Sequence, residues 1–201
     1  MRERHYRTYR SAVAPLGGRP LGATTYWRLK RRGARPAEVL SRSEVAPRRQ
    51  EEFLERFLER IEAPASLALD RLFPGVERTL AALRRRGDHL VLLSLRRSAR
   101  AFLDQVEALG IAGAFERVDS GQVSADGRLA KIHLVERAGF GPAAAAAVVG
   151  DTEADVLAAR ALGLASVGVT TGLRNRSYLV GAGAGAVVDR IGQVPAATLY
   201  G

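Results

Sequence analysis

Val148-Val149-Gly150-Asp151-Thr152-Glu153-Ala154-Asp155 is the stretch on which the reading of this chain turns. The run Ala147-Val148-Val149 has the length and apolar character of a buried strand, and Val156, Ala159, Ala161 and Leu162 then fall on a helical spacing. Asp151 is therefore expected at the carboxyl end of a strand, where open α/β sheets keep their ligand sites. Asp155 follows one helical turn later and is expected to face the same crevice. Two carboxylates held close together are costly unless a cation offsets them, which points to a hard metal such as Mg²⁺. The same acids also suit an ordinary helix start, with Asp151 as N-cap and Asp155 favoured by the dipole of the first turn. What lies upstream weighs towards the first reading.

Working outward, strand and helix patterns alternate from Phe73 onward. Pro74-Gly75 opens a helix carrying Val76, Leu80 and Leu83, which Gly87 ends. His89-Leu90-Val91-Leu92-Leu93 is a nearly continuous apolar strand, as in a parallel sheet covered on both faces. Ser98 is placed to cap the next helix, with Phe102, Leu103, Val106 and Leu109 inward. Short strands are expected near residues 115–118, 147–149, 166–169 and 186–188, with helices between most of them. The alternation predicts a doubly wound α/β domain over residues 71–201.

Residues 1–70 read differently, as an all-α segment. From Pro47 to Ile61, Phe53, Leu54, Phe57, Leu58 and Ile61 form an apolar stripe, and Glu52 and Arg56 pair four residues apart. Pro47 suits the first turn, and Pro64 marks the stop. Shorter helices are expected around residues 5–13, 24–32 and 36–41. Two stretches mislead. Gly181-Ala182-Gly183-Ala184-Gly185 resembles a dinucleotide fingerprint but precedes a strand instead of following one, so it makes no phosphate cradle. The run 143–147 is read as a helix or loop leading into the next strand.

Composition narrows the function classes. At 201 residues the chain has room for a sizeable core, and without cysteine it has neither disulfides nor thiolate metal ligands. The charged N-terminus has no signal-peptide core and no apolar run approaches a membrane span, so a cytoplasmic location is expected. The net charge of +10 is concentrated in residues 1–60, which carry 15 basic and 7 acidic residues. That positive charge attracts either nucleic acid or phosphorylated small molecules, or it belongs to a solvated Arg-rich helical surface. Only Lys30 and Lys131 are lysines; the other 29 basic residues are arginines.

Ser94 ends the residue 89–93 strand, and Lys131 stands near the start of a helix in Ala130-Lys131-Ile132-His133-Leu134. In a parallel sheet the strand ends gather on one rim, so a hydroxyl, an ammonium and the carboxylates of Asp151 and Asp155 converge there. Such a set suits a phosphoryl site: the hydroxyl donates to a phosphate oxygen, the ammonium offsets spreading charge, and a carboxylate holds a metal. His133, His89 and His5 have no partner motif and are read as structural. Tyr26 and Trp27 are read as helix packing, and Arg174 and Arg176 as exposed at the rim.

These residues and their order resemble the haloacid dehalogenase superfamily of phosphohydrolases, and in particular its phosphoglycolate-phosphatase-like branch with a helical cap. The strand ending at Ser94 looks like the family's second motif and Lys131 its third. Gly150-Asp151-Thr152-Glu153-Ala154-Asp155 with Ala158-Ala159-Arg160-Ala161-Leu162-Gly163 looks like its fourth. The resemblance implies a Rossmann-type core with an N-terminal all-α cap, Mg²⁺ as cofactor, and a small phosphorylated metabolite as substrate. It also implies that Ser94, with the Leu95 N–H, binds the phosphoryl group and Lys131 offsets its charge. Asp151 would ligate Mg²⁺, and Asp155 would orient Lys131 or a metal-bound water.

The chain departs from the family pattern in two places. The family's nucleophile sits in an Asp-x-Asp motif ending a first strand upstream of the cap, whereas no aspartate precedes Asp70 here. A start site set too late is the expected cause, and the 201 residues by themselves are expected to lack turnover. Leu95-Arg96-Arg97 stands where the family commonly has Asn or a small residue. The alternatives are a non-catalytic relative that binds a phosphorylated ligand or a protein, and an Arg-rich nucleic-acid-binding module. Retention of Ser94, Lys131, Asp151 and Asp155 argues against the last, because phosphate-backbone binding needs none of them.

Overall fold

The computed structural model describes residues 1–124, 126–141 and 145–194, so the run 143–147 begins outside the described residues. The chain divides into two compact units, Met1–Arg71 and Leu72–Gly201.

The first unit is helical: α1 (Arg2–Val13), α2 (Ala23–Arg31), α3 (Pro36–Arg42), α4 (Gln50–Ile61) and the short α5 (Pro64–Leu67). Pro64 opens α5 instead of only marking a stop, since its fixed φ suits a first helical position. Tyr9, Val13, Tyr26, Leu29, Leu40 and Phe53 are buried in one core. The Tyr9 and Tyr26 rings stack at 4.2 Å. The Tyr9 hydroxyl is satisfied by the Ser43 hydroxyl at 2.6 Å and by the Leu21 N–H at 2.8 Å. Trp27 packs 6.2 Å from the ring of buried His5, which agrees with a packing role for both. Much of the arginine charge is matched locally: Arg7 by Glu3, Arg49 and Arg56 by Glu52, and Arg32 and Arg42 by Glu38.

The second unit alternates strand and helix: α6 (Val76–Arg85), β1 (Val91–Leu95), α7 (Ala99–Ala108), β2 (Arg117–Gly121), α8 (Gly127–Arg137), β3 (Ala147–Gly150), α9 (Glu153–Ala161), β4 (Ala165–Val169), α10 (Arg176–Gly181) and β5 (Ala186–Val188). Every strand pairing is parallel, as the intervening helices require. Among the described residues the strands form two sheets, β1-β2 and β3-β4-β5. Helices α8 and α9 pack on each other; α8 lies on β1 and β2, and α9 on β3 and β4. Their apolar contact gathers Val135, Ala159, Leu162 and Leu164 with Leu93 and Val148, so residues of both sheets share one core.

Three expectations change. β1 begins at Val91 and runs through Leu95, because its pairing continues to Ser94↔Ser120 and Leu95↔Gly121. It is half-buried along its length, and among the described residues it pairs with β2 alone. In α7, which Ser98 caps by accepting the Ala101 N–H, Phe102 and Val106 are buried but Leu103 is 41% exposed. Gln105 is buried in α7 because its amide serves Arg96. Helix α9 ends where Gly163 turns left-handed at φ +66°. The Gly163 N–H then reaches Arg160 O, and the Leu164 N–H reaches Ala159 O. The carbonyls of Ala159 and Arg160 are thereby satisfied by a turn through a residue with no Cβ to object.

Candidate active site

The second unit brings Lys131, Asp155 and the backbone beside Ser94 into direct contact. Asp126 starts α8 by accepting the N–H groups of Arg128 and Leu129, which sets Lys131 one turn into the helix and inside the protein, 7% exposed. Its ammonium lies 2.9 Å from Asp155 Oδ1 and donates to the carbonyl of Leu93 at 3.4 Å. Leu93 immediately precedes Ser94 in β1, so the charge sits against the strand that carries the hydroxyl.

Asp155 is itself buried, and its other oxygen accepts the Thr152 N–H at 3.1 Å and the Thr152 hydroxyl at 2.7 Å. The cap of α9 is therefore Thr152 and not Asp151, with Asp155 closing a capping box from the third helical position. Lys131 is a cation that offsets Asp155. Gly150 is tied to this arrangement: a Cβ there would run into the Asp155 carboxyl group.

Asp151 follows β3 and accepts the Leu173 N–H on Oδ2 at 2.7 Å. Burial and then the nearby Asp155 charge push its carboxyl above the usual range, against the pull of the Leu173 N–H and Lys131. The loop after β4 comes this close because Gly172 lacks a side chain, and a Cβ at 172 would collide with the Asp151 carboxylate. Beside it, Arg174 grips Glu153 through two hydrogen bonds of 2.6 Å and lies 4.9 Å over the Tyr178 ring. Burial raises Glu153, but the Arg174 hydrogen bonds outweigh it and hold Glu153 below the ordinary carboxylate range.

Arg174, expected at the exposed rim, is thus only 17% exposed in its side chain and part of the site's frame. Arg176 does lie outside, paired with Asp189 at 2.8 Å. His133 is exposed, and His89 meets Glu116 at the surface. Sequence reasoning did not find Gly172, Arg174 or the Leu173 N–H. Their only signal was a glycine three residues past a strand end, on the rim that Asp151 already marked.

The donor set fits one corner of a hard-cation site. Mg²⁺ wants about six oxygens and commonly takes one or two carboxylates, the rest being water or substrate. Among the described residues Asp151 makes no ion pair, and its Oδ2 is already oriented by the Leu173 N–H. Asp155 is committed to Lys131 and Thr152. Among the described residues no group of three or more His, Cys, Asp or Glu is arranged to hold a metal. The surface hollows beside Arg32 and Glu38 and beside Leu40 and Gln50 include none of the four predicted residues. No described helix is long and apolar enough to cross a membrane.

Comparison with known proteins identifies the fold and the family. A phosphoglycolate phosphatase of Synechococcus elongatus is 37% identical over 175 residues, covering 86% of this chain and 79% of that protein. A haloacid dehalogenase-like family protein of Streptococcus pneumoniae superposes with a TM-score of 0.73 at 16% identity, covering 93% of this chain and 86% of that one. A predicted phosphoglycolate phosphatase of Haemophilus somnus superposes at 0.69 with 19% identity, over 94% and 87% of the two chains. At such identities the two structures speak for the fold alone. The family model for haloacid dehalogenase-like hydrolases matches residues 3–163, and with the sequence relative it shows that this chain belongs to the haloacid dehalogenase-like hydrolase family.

Proposed function

We propose that this chain is the phosphate-binding body of a Mg²⁺-dependent phosphohydrolase acting on small phosphorylated metabolites. Residues 1–70 serve as its helical cap and residues 71–201 as its core. The observation that carries the reading is the buried Lys131–Asp155 pair set against the backbone of Leu93, next to Ser94. Placing a buried ammonium at a strand end costs desolvation, and a phosphoryl group arriving there would be stabilised by it without reorganisation. The relative from Synechococcus is a phosphoglycolate phosphatase, which supports a small phosphorylated metabolite as substrate.

In this mechanism the Ser94 hydroxyl donates to an oxygen of the transferring phosphoryl group, and Lys131 offsets the charge spreading over its oxygens. Asp155 holds the Lys131 ammonium in place. Asp151, positioned by the Leu173 N–H, would hold Mg²⁺, which when bound supplies Lewis-acid polarisation of the phosphoryl oxygens. The nucleophile is an aspartate on a further strand that would pair with β1 or β3, each of which pairs on one side only among the described residues. Val149 in β3 is 37% exposed, apolar surface of the kind such a strand would cover.

Hydrolysis of p-nitrophenyl phosphate tests the assignment. The 201 residues alone should give no turnover above background with or without Mg²⁺. The chain extended upstream by a strand ending in Asp-x-Asp should turn over, and only with Mg²⁺. Mg²⁺-dependent turnover by the 201 residues alone would mean that the nucleophile has been placed wrongly.

A further inference from the structure

Arg96 occupies a position that the reactions described above do not use. It follows β1 by one residue, and its N–H donates to Gly121 O at 2.8 Å, so the backbone is held in line with β2 beyond the end of β1. The half-buried side chain turns back along the strand. Its Nε donates to the Ser94 hydroxyl oxygen at 3.0 Å, and Nη2 donates to Gln105 Oε1 at 3.2 Å. The guanidinium carbon lies 5.0 Å over the Phe102 ring. Gln105 and Phe102 are both buried on α7, so two fixed groups hold the guanidinium plane beside the hydroxyl.

Two consequences follow from the hydrogen-bond chemistry. A hydroxyl that accepts from Arg96 keeps its own proton for another acceptor, and the neighbouring positive charge makes that proton a better donor. A phosphoryl oxygen at hydrogen-bond distance from Ser94 also stands beside a planar, permanently charged fork with geometry suited to phosphate. We infer that Arg96 is a further phosphate-binding residue, which together with Ser94 grips the dianionic phosphoryl group of the substrate opposite the charge of Lys131. The inference rests on the phosphohydrolase reading of Ser94.

The test is binding of inorganic phosphate to the ¹⁵N-labelled 201-residue chain, read from the amide resonances of residues 93–97 at constant ionic strength. Arg96→Gln should weaken phosphate binding about 10-fold or more, the scale of a lost hydrogen bond to a charged group. Arg96→Lys, which keeps the charge but not the fork, should fall between wild type and Arg96→Gln. Ser94→Ala tests the underlying reading separately. If Ser94→Ala weakens binding while Arg96→Gln and Arg96→Lys bind like wild type, Arg96 is only a strut between β1 and α7, and the phosphohydrolase reading stands. If phosphate perturbs none of these amides in the wild-type chain, the inference and the reading fail together. Should Arg96→Gln lose its fold, the Arg96→Lys comparison decides alone.

Discussion

Replacing Lys131 with methionine keeps most of the side-chain volume and removes the ammonium. In the folded chain this leaves the Asp155 carboxylate, 8% exposed, with the N–H and hydroxyl of Thr152 as its remaining partners among the described residues. Breaking a buried pair by removing one partner costs about 3–5 kcal/mol, and the two remaining hydrogen bonds place Lys131→Met near 3, at about the lower end. With a urea dependence of about 1.5 kcal/mol per molar for the second unit, the midpoint should fall by about 2 M. Far-UV circular dichroism follows this transition. Adding Asp155→Asn to Lys131→Met removes the stranded charge while its amide oxygen still accepts from Thr152. The double variant should return to within about 1 kcal/mol of wild type, because a buried pair replaced as a whole costs little. A midpoint shift below about 0.3 M for Lys131→Met would mean the pair is solvated and the argument wrong. A double variant no more stable than the single one would sink the argument equally.

Two further outcomes follow from Asp151 and its loop. The folded-state pKa of Asp151 is raised, so its ionisation opposes folding at every pH above the folded value, and the penalty disappears as pH falls below the ordinary carboxylate value. Asp151→Asn should therefore stabilise the chain in metal-free buffer at pH 7 and make no difference near pH 3. Added Mg²⁺ should raise the thermal midpoint of wild type but not of this variant, and calorimetry across pH reads both effects. Gly172→Ala places a methyl group against the Asp151 carboxylate and should cost about 1–3 kcal/mol by overpacking. The Leu173 amide should then exchange with solvent faster, and unchanged exchange would show that the loop yields freely.

Periodicity and residue chemistry, properties of neighbours along the chain, were enough to place the strand before Asp151, the helix after it and the helical character of residues 1–70. The identities of Ser94, Lys131, Asp151 and Asp155 were legible for the same reason, since acids and hydroxyls at strand ends and a rare lysine stand out in one dimension. Which group neutralises which was not legible. Asp155 could have faced a metal or a lysine, and only the packing of α8 against α9 brings Lys131 to 2.9 Å from it. The end of β1 was misplaced because register is set by the partner strand, and β2 carries the pairing on to Leu95. Arg174 read as an exposed rim residue because its partner Glu153 is 21 residues away, and nothing along the chain shows that the Asp151 carboxylate fills the space a Cβ at Gly172 would take. Local pattern determines which segments form strands and helices and which side chains stand at their ends. Distances between those ends depend on the packing of several elements at once, so burial, ion pairing and raised or lowered carboxylates are decided only by the tertiary structure.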